Sequence, residues 1–429
     1  MLLLLLAIKV LVCHVALASA EAIADGLWQE TRNASDFTQQ GPVKSAWIIT
    51  PESSITRQGH FTVDADDMVT VLVPSGTHWE ADGLEVANGT SAILRNVNVQ
   101  ANDGSIGLFV HGASVALNGA KMSSSGPVGH SVFAAGGGFI NMSGISAITT
   151  GPRSSIAAAS TLYSRVRIEN SQGLTFGPGS PCLFSLGGSL NVRQFKCVSF
   201  RSPFLVVDST KAVWQDRLVI SLEQVEAEAG GLAAIVMFDN TSRPNARPTP
   251  WLRVNDTVIK AIQPEAVGMW LSNTGGRVDM ARSTIIANGT LVRAVAAGMP
   301  AWDGSSGFEK RHFGDESTAV IFSVAQSSLR GDIVVSGRGG IDLQLKEMSE
   351  WVGSAVAEHS DSHVHVDLSR NSIWRLTNHT HVQKLMDDDP TLGNIDSQGF
   401  NLTYCKNVSN IAVPVSPLAG GGFAVGLPV

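Results

Sequence analysis

Apolar residues in this chain recur at every second position in short runs, and each run closes on a corner rich in Gly, Asn, Asp or Ser. Such alternation sets one side of a strand against a core and the other against water. The runs themselves repeat. Ser114 to Gly119 (SVALNG) aligns with Phe139 to Gly144 (FINMSG) at an offset of 25 residues. Ser91 and Leu94 precede Ser114 and Leu117 by 23, and Val166 and Ile168 precede Leu190 and Val192 by 24. Leu343, Leu345 and Trp351 recur as Val366, Leu368 and Trp374, each 23 residues on. Several strands within a period of this length describe an all-β fold, the right-handed single-stranded parallel β-helix or pectin-lyase-like solenoid. No single coil buries its own apolar side, so stability comes from stacking. From about residue 86 to about 400 there is room for roughly 13 coils. At the strand spacing the rod is about 60 Å long.

The alternation also assigns sides. In Ser362 to Leu368 (SHVHVDL), Val364, Val366 and Leu368 face in, so His363, His365 and Asp367 face out. One coil earlier Asp342, Gln344 and Lys346 share that side, which predicts His365 over Asp342 and Asp367 over Gln344. Residues 21–85 lack the repeat and are assigned to an N-terminal cap, and residues 401–429 to a C-terminal cap and tail. The stretch from Ser221 to Val236 is the one mild helix candidate. The period breaks at Asn240 to Pro250 and at Pro300 to Glu316, where Pro, Gly and charge mark loops leaving the rod.

Composition narrows the class. Hydrophobic residues make up 44% and charged residues 16% of 429, with 43 Gly. A disordered chain has fewer apolar residues and more charge, and a coiled coil has far more Glu, Lys and Leu in heptads. A pI near 5.9 argues against a nucleic-acid partner. Residues 1–20 form an apolar leader closed by Ala18-Ser19-Ala20, a secretory signal peptide with cleavage after Ala20. After cleavage no stretch is long enough to span a membrane. Loss of Lys9 takes the formal charge from −7 to −8. Nine Asn-X-Ser/Thr sequons follow, at Asn33, Asn88, Asn141, Asn240, Asn255, Asn288, Asn378, Asn401 and Asn407. That excess in a leader-bearing chain reads as a secreted glycoprotein. Cys182 and Cys197 are the disulfide candidates on proximity, which leaves Cys405 over.

Candidate chemistry is sparse. Arg330-Gly331-Asp332 is an integrin-type tripeptide, but Gly-Asp also opens strands. His359, His363, His365, His379 and His381 include two His-X-His pairs whose rings share a side. The reading is solvated outer-face and turn histidines, with no metal and no cofactor. Asp64, Asp66 and Asp67, and then Asp387, Asp388 and Asp389, read as solvated turns, because neither triplet has a partner one period away. Trp302, Asp303, Glu309, Lys310, Arg311, His312 and Asp315 crowd one loop, which reads as a charged loop. No catalytic residue is assigned. The series Asn-X-Asp, Asp-Asp, Gly-His-Gly and Arg-X-Lys of polygalacturonases is missing from the sequence.

The C-terminal third resembles the passenger domains of pertactin-like bacterial autotransporters. Trp351 and Gly353, then Trp374, Thr377, Thr380, Val382 and Leu385 one coil later, match that family's Trp-Gly and Trp-x-x-Thr-x-x-Ser-x-Val-x-x-Leu pattern with Thr for Ser. The central repeats (GASVALNGAKMSSSG) look similar. The resemblance implies a parallel β-helix and a surface-displayed adhesin. The chain carries no outer-membrane barrel pattern, so autotransport is not carried over, and the sequons point to a secreted eukaryotic relative, a fungal one among the options. The expectation is an adhesin-like or structural protein of the cell surface, matrix or wall, non-catalytic, with an extracellular glycan or cell-surface partner. The alternatives are a polysaccharide lyase or glycoside hydrolase of the pectate-lyase-like class, and a non-catalytic glycan-binding module.

Overall fold

A computed structural model describes residues 93–429 except 102–103, 105, 162, 210–217, 240–249, 296–317, 337, 413 and 429, and only the backbone of strands at 47–48, 60–73, 82–86 and 91–92. Strands wind into a parallel β-helix, each coil contributing to three faces. One coil runs Phe139–Ser143, Ser146–Thr149 and Ala157–Ser160. On the next coil the first two faces are one bent strand, Arg165–Thr175, and the third is Leu183–Leu186. The registers match the sequence offsets. Val115 pairs with Ile140, Val166 with Leu190, and Trp351 with Trp374. Inward residues of all three faces form one core along the rod. A smaller cluster that includes Val206, Val236 and Trp270 lies on the outer side of the third face.

The corner between the first and second faces turns on a single residue. Asn96, Asn170, Gln194, Gln224, Asp256, Arg282 and Gln326 take φ between 47° and 54° there. Gly119 and Gly144 fill the same corner in two coils at φ 67°. Left-handed backbone costs a non-glycine residue roughly 1–2 kcal/mol, which stacking with the coils on either side must offset. The next residue in several coils is Ser or Thr, and these hydroxyls form an internal ladder. The N–H of Thr257 donates to Ser283 Oγ at 3.0 Å, that of Ser283 to Ser327 Oγ at 2.9 Å, and that of Ser349 to Ser372 Oγ at 3.2 Å. Corner amides freed from the strand ladder are thus satisfied inside the rod.

Three expectations change. Residues 221–236 are strands, Val219–Ala229 and Ala233–Phe238, because Gln224 is a left-handed corner and not a helical position. The stack starts before residue 86, since His60–Val73 pairs with Ser91–Ala101 and Asp82–Val86 with Ile106–His111. The period is hidden there by a register shift between Asp64 and Val69, where residues 65–68 stand opposite Asn96 alone. At the other end the chain is not a loose tail. Phe423–Leu427 pairs in parallel with Leu402–Cys405, and Val415–Pro417 folds back antiparallel onto it. Such a reversal occupies the edge that a stack of strands would otherwise expose.

Cys182 and Cys197 are disulfide-bonded across the core, with Cα atoms 6.5 Å apart. Gly173 packs beside the bridge: a Cβ there would lie 2.9 Å from Ile156 Cγ1 and 3.2 Å from Cys197 Sγ. Two coils from the C-terminus the indoles of Trp351 and Trp374 stack inside the rod, centroids 4.7 Å apart. Trp351 Nε1 donates to the Gly331 carbonyl at 2.9 Å and Trp374 Nε1 to the Gly353 carbonyl at 3.0 Å. The Trp-Gly spacing therefore repeats one device, an indole reaching back to the corner of the preceding coil.

Candidate functional site

The outer ladders of the central coils alternate in sign. Glu169 lies 3.6 Å from Arg167 and 3.8 Å from Arg193, and Arg193 lies 3.6 Å from Glu223. Lys196 and Glu226 pair at 2.8 Å. These side chains are exposed, Glu169 partly so, and each pair contributes at most about 1 kcal/mol. They make a solvated, adaptable surface.

Toward the C-terminus the second face carries an open groove of about 670 Å³. Its floor is laid by the register. Thr284, Ser328 and Glu350 form one outward ladder, and Ile286, Arg330, Val352 and Arg375 the next. Thr377, Gln398 and Phe400 complete the lining. Apolar strips beside hydroxyl, guanidinium and amide groups suit the mixed surface of a sugar ring. A glycosidase needs two carboxyl groups flanking the scissile bond. Among the described residues the lining holds one, Glu350, and Arg375 Nε bonds its Oε1 at 2.9 Å.

The Arg-Gly-Asp tripeptide is divided by the fold. Arg330 is exposed and lines the groove. Asp332 turns away and serves the chain itself, its Oδ1 accepting from the Ser354 N–H at 2.8 Å and the Thr377 hydroxyl at 2.9 Å. Gly331, at φ 119°, makes the bend. The aspartate is thus a corner fastener.

On the first face the expected ladder is present. Asp342 pairs in register with His365, and Gln344 with Asp367. His365 Nδ1 and Asp342 Oδ1 lie 2.7 Å apart. The His363 ring sits over Gly340 and beside His365, with ring centroids 4.5 Å apart. Burial, then the neighbouring His365, hold His363 below the ordinary histidine range, against the pull of Asp342. His379 Nδ1 accepts from the Asn401 N–H at 3.0 Å, and His381, in strand register with Thr403, has its Nδ1 2.9 Å from Thr403 Oγ1. Burial lowers the His381 pKa as well. His359 Nδ1 accepts from the Asp361 N–H at 3.1 Å.

The acidic triplet near the C-terminus is not a solvated turn throughout. Strand Lys384–Asp387 alternates inward at Leu385 and Asp387, so Asp387 is buried at 4% exposure. Its Oδ1 accepts from the Asp389 N–H at 2.8 Å and Asn394 Nδ2 at 3.1 Å, while Oδ2 is buried without a partner. Burial pushes its pKa up to about 6. Asp389 behaves oppositely, held below the usual range by hydrogen bonds from Thr391 and Gly393. One group that the sequence pattern did not single out is His130, buried between coils. Its Nδ1 accepts from the Ser155 N–H at 3.1 Å and meets Ser155 Oγ at 2.7 Å. Burial lowers its pKa to about 4.

Among the described sequons, Asn288, Asn378, Asn401 and Asn407 are exposed, and Asn141 and Asn255 are half-buried on the first face. Cys405 is unpaired and half-buried at the end of its strand. The leader, Asn33, Asn88, Asn240 and the Trp302 to Asp315 cluster lie outside the described residues, as do the side chains of Asp64, Asp66 and Asp67.

Fold and surface together define a parallel β-helix protein with outward polar ladders and a groove over its C-terminal coils. Comparison with protein-family models, with curated proteins and with solved structures returns no match.

Proposed function

We propose that this chain is a secreted, N-glycosylated β-helix protein that acts at the cell surface or in the extracellular matrix as an adhesin-like contact protein. In this reading the groove on the second face takes extracellular glycan without cleaving it. The observation that carries it is the lining. Ladders of Thr284, Ser328, Arg330 and Gln398 offer donors and acceptors beside Ile286, Val352 and Phe400, and the lining carboxylate of Glu350 is engaged by Arg375. The likeness of the Trp351 and Trp374 coils to autotransporter passengers, the leader and the sequons support display outside the cell.

The test uses the purified, glycosylated chain on a panel of acidic and neutral polysaccharides. Binding should weaken about tenfold or more when Arg330→Ala and Phe400→Ala are combined, as expected for the loss of two central contacts. The same panel is assayed for new reducing ends and unsaturated products. Robust product formation would overturn the non-catalytic reading in favour of a polysaccharide lyase or hydrolase. Binding indifferent to both substitutions would remove the groove from it.

A further inference from the structure

We propose that Asp342, His363 and His365 form a site for one divalent transition-metal ion of the zinc type on the first face of the rod. One ligand atom from each lies within 4.8 Å of the others. A tetrahedral zinc ion with bonds of about 2.1 Å holds its donors roughly 3.4 Å apart, so small ring rotations close the set.

The placement comes from the coil register. His363 and His365 are two apart on strand Ser362–Leu368, so both rings leave on the same side. Their partners one coil earlier are Gly340 and Asp342. Gly340 lets the set converge: a Cβ there would overlap the His363 ring, Nε2 included. The imidazole therefore leans back across the preceding coil, toward the side that Asp342 occupies. Asp342 Oδ1, 2.7 Å from His365 Nδ1, either binds the ion or orients the ring so that Nε2 faces it. A carboxylate beside a ligating histidine commonly does one or the other.

Two imidazoles and one carboxylate suit zinc and its first-row neighbours better than calcium or magnesium, which favour oxygen ligands. Three protein donors leave positions open for water or for an external ligand. The surroundings tune affinity downward. Lys384 pairs in register with His365 on the following coil, and Ile321 with Asp342 on the preceding one. An ammonium one coil away opposes a dication. The site does not depend on the glycan reading, since it lies on a different face.

The test is calorimetric titration of the full chain with Zn²⁺ near neutral pH, repeated with Co²⁺ to read ligand-field absorption. One saturable equivalent is expected from this site. His363→Ala with His365→Ala should abolish it, and Asp342→Asn should weaken it about 10- to 100-fold. Gly340→Ala should weaken it without removing any donor, and Lys384→Gln should tighten it. His379→Ala with His381→Ala should leave it unchanged. Failure of the wild-type chain to bind Zn²⁺, or an equivalent that survives the double histidine substitution in a chain with an unaltered far-ultraviolet spectrum, overturns the proposal.

Discussion

Asp387 makes a buried carboxylate measurable. In the native chain its pKa stands near 6, against 3.8 for the free side chain, chiefly because burial disfavours the charge. The native state therefore keeps a proton that the unfolded chain has already released. Between about pH 4 and pH 6 the folded form binds more protons, so stability falls as pH rises through that window. A difference of about two units corresponds to about 3 kcal/mol. The exposure of the adjoining Asp388 discounts this to roughly 2 kcal/mol. Asp387→Asn keeps an oxygen for the Asp389 N–H and Asn394 Nδ2 but cannot ionise. It should match the parent near pH 4 and exceed it by roughly 2 kcal/mol near pH 8. His130 works in the opposite direction. Its pKa is lowered to about 4, so the unfolded chain binds the extra proton and stability rises with pH between about 4 and 6.5. The two slopes partly cancel in the parent, and the variant should expose the rising one. Urea unfolding followed by far-ultraviolet circular dichroism, at about pH 4, 6 and 8, measures the difference curve. Hydrogen exchange at the Asp389 amide reads the same site locally. A variant no more stable than the parent at pH 8, or a gap that does not change with pH, would refute the reasoning.

Other expectations follow from the rod. Trp374→Ala leaves half of a buried indole stack and an orphaned Gly353 carbonyl, and should cost about 3–5 kcal/mol in urea unfolding. Replacing Cys182 and Cys197 by Ala opens a loop of 15 residues and should lower stability by about 3 kcal/mol, without changing the far-ultraviolet spectrum at low denaturant. Gln194 is an exposed corner residue at φ 51°. Gln194→Gly should therefore stabilise by up to about 1 kcal/mol, less the extra entropy of glycine in the unfolded chain. Asp332→Ala should destabilise by about 1–2 kcal/mol because the Ser354 amide loses its acceptor. Arg330→Ala, on the same tripeptide, should leave the unfolding midpoint within error, and a comparison of the two curves separates structural from surface roles.

Much of the architecture was legible in the sequence, and the reason is periodicity. A parallel coil stacks each residue on its counterpart one period away, so Leu343 over Val366 and Asp342 over His365 follow from an offset of 23. Where the offset is disturbed, legibility fails. The coils before residue 86 are masked by the insertion between Asp64 and Val69. Residues 221–236 look mildly helical because a left-handed Gln224 interrupts the alternation. Sequence alone determined the strand period, the inward and outward sides, the Cys182 and Cys197 candidates and the His365 ladder, all properties of spacing. Only the tertiary structure decided that Asp387 lies inside, that Asp332 fastens a corner while Arg330 faces a groove, and that Gly340 lets His363 lean toward Asp342. Those outcomes depend on how corners bend and which ring fills an empty Cβ position. They are set by packing between coils, which no single period of the sequence contains.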